Sequence, residues 1–307
     1  MKLRKMLAIA ISAVMIMTCF ASVPAMAKGS KKGPALVKSY TYSDYNTESK
    51  RWEKSSLTKY TYKKAYPAVV ESAYYNSNNL NRTIYKYKVK GSKAKSMKAY
   101  NPVGRNNARA SYKKGLRSSF SSWSSDKTSK TSYKLKYNKK GFVTSCVYVV
   151  TYKGWEYDDN NAKKKYTSKE TTAHNYKITM KKGLPFKISG TYSEVFVRTP
   201  GSTNKYDNNR TYISTFNKAG IVTKAGYTDN ETNKYRDRFR FKVTLKKGKV
   251  TRIIREYNVG TEEAVKWEKD GKYDFKYDKT KISKQRYANM INDIVFGYSD
   301  YAYFSWF

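Results

Sequence analysis

Beyond the first 27 positions the chain holds one cysteine, Cys146, and one histidine, His174. Together they could supply a thiol nucleophile and its base. Cys146, however, alternates in step with Phe142, Tyr148 and Val150, which is a strand pattern with an apolar face. Such a position raises a thiol pKa, whereas nucleophilic cysteines sit beside cations or at helix N-termini. The reading is a packed, inert thiol. Glu170, Glu194, Glu256, Glu262 and Glu263 are the candidates for a glycosidase-type carboxylate pair. Those groups must lie about 5–10 Å apart across a cleft, and no spacing here marks a pair. Asp229-x-Glu231-x-Asn233 opens like a calcium loop, but Lys234 replaces the required Gly and Arg240 the bidentate Glu. Asp158-Asp159-Asn160-Asn161 is equally incomplete, and both stretches read as turns. A lone histidine excludes a His-rich metal site, and no phosphate-binding glycine loop or nucleophile elbow is present. The expectation is a non-enzymatic protein without metal or cofactor.

Lysine carries the remaining chemistry. Lys86, Lys88 and Lys90 alternate with Tyr85, Tyr87 and Val89; Lys134 and Lys136 alternate with Tyr133, Leu135 and Tyr137. Further lysines come in pairs at turns: Lys139 and Lys140, Lys181 and Lys182, Lys246 and Lys247. These residues form the candidate polyanion-binding set. Each row taken alone is what a solvated sheet face needs, and edge lysines also discourage strand-to-strand aggregation. The total is harder to assign to solubility, for which a net charge of roughly 2–8 suffices on a small domain. The chain carries +40. Lysine rather than arginine dominates, which suits diffuse attraction more than bidentate recognition.

Those lysines need strands and turns to hold them. Tyr is abundant, 31 residues against 12 Phe, and favours strands. Four glycines close similar turns: Asn138-Lys139-Lys140-Gly141, Met180-Lys181-Lys182-Gly183, Asn217-Lys218-Ala219-Gly220 and Leu245-Lys246-Lys247-Gly248. Asn first and Gly fourth fit a type I turn with a left-handed glycine closing a bulged hairpin. Strands are expected after them over 142–152, 184–197, 221–227 and 249–257, with polar loops at 153–165, 199–210, 229–233 and 260–270. In the Asn type an aromatic lies four before the glycine; in the Lys-Lys type an apolar residue lies three before it. The two kinds therefore enter the turn one residue out of phase. Tyr137-Asn138-Lys139-Lys140-Gly141-Phe142-Val143-Thr144, echoed at 216–223, resembles the turn of the bacterial YD (Rhs-type) wall repeats, with Asn for the usual Asp. The resemblance spans two turns and is one of turn chemistry.

The chain ends are read separately. Lys2, Arg4 and Lys5, an apolar run to Val23, Pro24 and Ala25-Met26-Ala27 predict a signal peptide over 1–27. The signal has no acid, so its removal takes the charge of +40 to +37 over the remaining 280 of 307 residues. Only one thiol then remains, so the exported fold relies on packing and sheet hydrogen bonds rather than disulfides. Tyr287, Met290, Ile291, Ile294 and Val295 follow helical spacing from about 283 to 296, with Gly297 as a stop. That helix should cover a sheet face or barrel mouth.

The resulting expectation is an all-β antiparallel meander of repeated hairpins, as a large twisted sheet, barrel or sandwich, with one short C-terminal helix. Its organisation reads as an N-terminal β segment over 28–91, a basic Ser/Lys-rich loop or linker over 92–131, a hairpin-repeat region over 132–280, and a helix with an aromatic tail over 281–307. The expected partner is an anionic cell-wall polymer or polysaccharide. Cytoplasmic nucleic acid is not expected, nor a transmembrane helix after signal cleavage. An exported polysaccharide hydrolase is the alternative. An outer-membrane barrel is a third reading, one that requires an outward apolar belt.

Overall fold

The computed structural model describes residues 33–296, except for 64–65, 77–78, 91–92, 101–105, 114–115, 125–126, 138–142, 158–161, 200, 202, 229–233 and 262–263. The expected export signal and aromatic tail lie outside the described residues, as do Asp229–Asn233 and Asp158–Asn161. Sixteen strands follow one another: β1 Ala35–Asn46, β2 Arg51–Lys63, β3 Tyr66–Asn76, β4 Asn79–Lys90, β5 Lys93–Tyr100, β6 Asn106–Lys113, β7 Leu116–Ser124, β8 Ser129–Tyr137, β9 Val143–Tyr157, β10 Lys163–Lys181, β11 Leu184–Thr199, β12 Thr203–Phe216, β13 Val222–Thr228, β14 Tyr235–Lys246, β15 Lys249–Asn258 and β16 Trp267–Lys281. Among the described residues one helix, α1, spans Lys284–Phe296.

Each strand pairs antiparallel with the strands before and after it in sequence, and β1 pairs with β16. The meander therefore closes into a barrel and leaves no sheet edge unpaired along most of its height. Alternation decides which face each side chain takes. Tyr133 and Leu135 are buried, while Lys134 and Lys136 between them are exposed. Tyr40 and Tyr42 of β1 are buried and Lys38 is exposed; Tyr60 of β2 is buried and Lys59 exposed. Buried rings touch across neighbouring strands, with Tyr40 6.3 Å from Tyr60 and 6.2 Å from Phe275 between centroids.

The hairpins divide into two sets, one at each end of the barrel. At one end, the turn end, connections are short. Residues 182–183 and 247–248 join their strands with two residues each, all four at positive φ: 50° and 76°, then 50° and 72°. This is type I′ geometry, not the type I turn with a glycine bulge expected from Asn-containing turns. The Asn217 turn does take that form. Gly220 N–H donates to the Asn217 carbonyl at 2.9 Å, Gly220 has φ 75°, and Asn217 Oδ1 accepts from the Ala219 and Ile221 amides. Two turn geometries thus explain why the two sequence types run one residue out of phase. The Asn138–Gly141 turn falls outside the described residues.

Residues 92–131 are not a linker. They form β5, β6, β7 and the start of β8. Poor in aliphatics, the stretch still meets the needs of a strand, because a ladder is built from backbone groups and paired on both sides. Its register sets Ala99 opposite Ala108, Met97 opposite Ala110, and Ala110 opposite Phe120. The expected loops 153–165, 199–210 and 260–270 are also shorter than predicted, since 153–157, 163–165, 203–210 and 267–270 are strand. Polar composition there did not prevent pairing, because the ladder is made by backbone groups.

Helix α1 starts one residue later than expected and is enclosed. Tyr287 to Val295 are buried without interruption, and at about 100° per residue nine positions cover every direction around the axis. A barrel of sixteen strands is wider than its own side chains fill. The helix occupies part of that space at the turn end. Asn292 fixes it there by donating to the Gly220 carbonyl (2.7 Å) and accepting from the Val222 amide (2.9 Å). Tyr287 Oη accepts from the Val250 amide at 2.7 Å and meets Tyr277 Oη at 2.7 Å. A Cβ on Gly220 would press on that of Ala288 at 3.2 Å, and the φ of 75° there favours glycine.

Candidate polyanion-binding surface

Lys181, Lys182, Lys246 and Lys247 are exposed at the rim of the turn end. Lys182 and Lys247 occupy the first, left-handed position of their two-residue turns, where Asn, Asp or Gly is strongly preferred. A side chain with a Cβ costs roughly 1–2 kcal/mol in that conformation. The strain places an ammonium at the outermost point of each hairpin. Lys63, Lys90, Lys93 and Lys113 end or begin strands at the same end of the barrel. Lys90 and Lys93 are directly opposite one another.

Carboxylates are distributed in the reverse way. Among the described residues Asp278 is the one acidic residue on the turn-end portion of the strands, apart from Asp293 inside the barrel on α1. Asp278 is itself occupied: the Thr280 amide donates to it at 2.8 Å, and that hydrogen bond holds its carboxyl below the usual range. Acidic residues gather instead toward the opposite, loop end, with Asp44, Glu48, Glu53, Glu156, Asp237, Glu268 and Asp270 among the described ones. The described acids, though not the lysines, are thus concentrated away from the turn end.

Lysines also stud the outer wall. Lys38, Lys59, Lys134, Lys169, Lys177 and Lys187 are exposed within their strands, and Lys136 is exposed near the end of β8. The acids on this wall are engaged by cations. Glu256 accepts from Arg240 and Lys242, each at 2.6 Å; Asp274 from Arg252 at 2.6 Å; Asp237 from Lys224 at 2.8 Å. Burial pushes the Glu256 carboxyl up, but the hydrogen bonds and charges of Lys242 and Arg240 outweigh it and hold the pKa down. Half-buried Val147, Val149, Val195 and Val197 share the wall with Lys134 and Lys169, which register sets directly opposite Val147 and Val197. Among the strands whose side chains are described, β8 to β11 interleave these valines with exposed lysines.

The structure therefore places Lys134 and Lys136 on the wall and Lys181, Lys182, Lys246 and Lys247 on the rim. Lys86 and Lys88 lie in β4, with Lys86 in register with Lys98. Lys139 and Lys140 fall outside the described residues.

Inside the barrel, strand pairing sets Cys146 directly opposite His174. Both are almost fully buried, at 5% and 4% exposure. Burial lowers the imidazole pKa from 6.5 to about 4, so it is neutral at physiological pH. A neutral imidazole leaves the thiolate without a compensating cation. Glu170 and Glu194 are diagonal neighbours on β10 and β11, with Glu170 opposite Phe196 and Glu194 opposite Thr172. Burial first, then the Glu194 charge, raises the Glu170 pKa. Glu256 lies elsewhere, on the outer wall, and 262–263 are outside the described residues. No cluster of three metal-ligating side chains exists among the described residues.

One feature gave no sequence signal strong enough to find. The four described tryptophans, Trp52, Trp123, Trp155 and Trp267, all stand within a few residues of the loop end of their strands. Cations lie over three of these rings: Lys272 on Trp52 at 5.1 Å, Lys163 and Lys165 on Trp155 at 4.9 Å each, and Arg240 on Trp267 at 4.8 Å. Only the antiparallel register, which assigns each strand end to one side of the barrel, could have shown it.

No protein-family model matches the chain, and no curated protein matches it. Among solved structures, a porin-like protein from Bacteroides uniformis aligns at 9% identity and TM-score 0.30, covering 80% of this chain and 99% of its own. A porin-like protein from Bacteroides vulgatus aligns at 11% identity and TM-score 0.33, covering 80% and 100%.

Proposed function

We propose that this chain is an exported, surface-associated β-barrel that holds an anionic surface polymer by electrostatic attraction and has no catalytic role. The observation that carries the reading is the turn-end rim. Lysines sit there at strained left-handed positions, and most of the described acids lie on the wall or at the far end. Among the described residues Lys181, Lys182, Lys246 and Lys247 make no ion pair, so a polyanion approaching that rim meets a positive field there. The lysines on the outer wall extend the same field along it. They also weigh against a lipid-facing wall, since each cation at a bilayer midplane costs about 2–4 kcal/mol.

Retention of the mature chain on isolated cell walls, measured across a salt series, tests the proposal. Displacing six or more phosphate contacts predicts a fall of about 10³-fold or more between roughly 50 and 200 mM salt. A quadruple Lys181/Lys182/Lys246/Lys247→Gln variant should show a shallower slope. Salt-independent retention would overturn the reading.

The Glu170–Glu194 pair supports a second reading, a polysaccharide hydrolase with Glu170 as the protonated partner. Release of reducing ends from anionic glycans by the wild type, abolished in Glu170→Gln, would establish it; no release by the wild type removes it.

A further inference from the structure

The β9–β10 hairpin stands out from the barrel as a two-stranded ribbon. β8 pairs with β9 only as far as Ser129 opposite Tyr152, and β11 leaves β10 at Thr199 opposite Thr167. Beyond the Lys153 amide, which still donates to the Thr128 carbonyl at 2.7 Å, the β9–β10 ladder continues past both neighbours, from Gly154 opposite Tyr166 to Tyr157 opposite Lys163. A free ribbon of this kind is marginally stable in water.

One face of the ribbon is braced. Tyr166 lies over Gly154, where a Cβ would meet the ring at 2.7 Å. The Arg198 guanidinium stacks on Tyr166 at 4.5 Å and is ion-paired with Glu156. Tyr152 lies 5.9 Å from Tyr166 between centroids. The other face is presented to solvent. Trp155 is 53% exposed and Tyr157 67% exposed, and the lysines directly opposite them in register, Lys165 and Lys163, both reach the Trp155 ring. The ribbon is thus stiffened from behind while its front offers a half-exposed indole with two mobile ammonium groups held over its ring, which an anionic group of a ligand would draw aside.

We infer that this front face is a stacking site for the sugar rings of an acidic polysaccharide. The apolar C–H face of a pyranose lies on Trp155 and Tyr157, while its carboxylate or sulfate pairs with Lys163 and Lys165. The chemistry selects the ligand. A polyphosphate chain offers charge but nothing flat to cover the indole. A neutral glycan covers the indole but leaves both ammonium groups unanswered. An acidic sugar uses both. This inference rests on the proposed polyanion binding and narrows its ligand to carbohydrate.

The test compares the full mature chain with Trp155→Ala and Trp155→Phe on two immobilised probes, polygalacturonate and inorganic polyphosphate, at fixed moderate salt. Because Trp155 is exposed, thermal unfolding of the variants should match the wild type, which separates binding from folding. Trp155→Ala should weaken polygalacturonate binding about tenfold and leave polyphosphate binding within twofold, while Trp155→Phe keeps most of the affinity. Equal losses on both probes, or none on either, would overturn the inference. Wild type that binds polyphosphate but not polygalacturonate would overturn it while leaving the proposed function standing. Wild type that binds neither would overturn both.

Discussion

The two ends of the barrel are built from the same strands and have opposite characters. At the turn end, the described hairpins close with two residues or with the Asn217 turn, a helix occupies part of the interior, and lysines crowd the rim. At the loop end, strands overrun their neighbours, rings and acids accumulate, and cations are drawn onto tryptophan faces or carboxylates. The difference teaches where each end spends its side chains. The turn end is stabilised from inside, so its outside is left to strained, like-charged lysines. Among the described residues no helix stands at the loop end, where aromatic and charged groups stabilise one another locally.

The comparison breaks most clearly in the core. Ile291→Ala, at a fully buried α1 position, should cost about 2–5 kcal/mol in denaturant unfolding. Tyr157→Ala at the ribbon tip should stay within about 0.5 kcal/mol.

Acid should be felt through the interior. His174 has its folded pKa lowered to about 4, below the unfolded 6.5, so the unfolded chain binds the proton first. Stability should then fall as pH drops from 6.5 to about 4, by up to about 3 kcal/mol, and level off below. Glu170, raised in the fold, acts oppositely: its contribution is present in acid and lost as pH rises through its shifted pKa. A His174→Gln variant should flatten the fall between pH 6.5 and 4; an unchanged pH profile would refute the assignment to His174.

Asn292→Ala removes both polar ties between α1 and the Asn217 turn and leaves a buried carbonyl and amide unanswered. A loss of about 1–3 kcal/mol is expected, read as a shift in the denaturant midpoint.

The smallest effect sharpens the contrast most. Lys182→Asn relieves a left-handed lysine, so it should stabilise by up to about 1 kcal/mol while weakening salt-sensitive retention. Loss of stability in that variant would mean the lysine is held there for folding.

Parts of this were legible in the residues. The alternation of Tyr133, Lys134, Leu135 and Lys136 gave strand, face and exposure correctly, because a period of two is a local property. The helix at 284–296 was visible from its apolar spacing. The turn lysines were visible too, though not their backbone: Lys182 and Lys247 take φ of 50°, a choice made by the twist of the strands they join. Residues 92–131 misled because composition reports burial, whereas strand formation there depends on partners on both sides. Closure was left open between sheet, barrel and sandwich, since the pairing of β1 with β16 joins residues more than two hundred positions apart.

What the sequence determined by itself is therefore the chemistry: one thiol, one imidazole, an excess of lysine, strands with one apolar face and a helix at the end. What only the tertiary structure decided is placement. It set Cys146 opposite His174, enclosed the helix, sent the turn lysines to one rim and the tryptophans to the other, and raised Trp155 on a ribbon. Periodicity and charge are written within a few residues of each other, but which end of a strand shares a rim with which is fixed only when every strand has been paired.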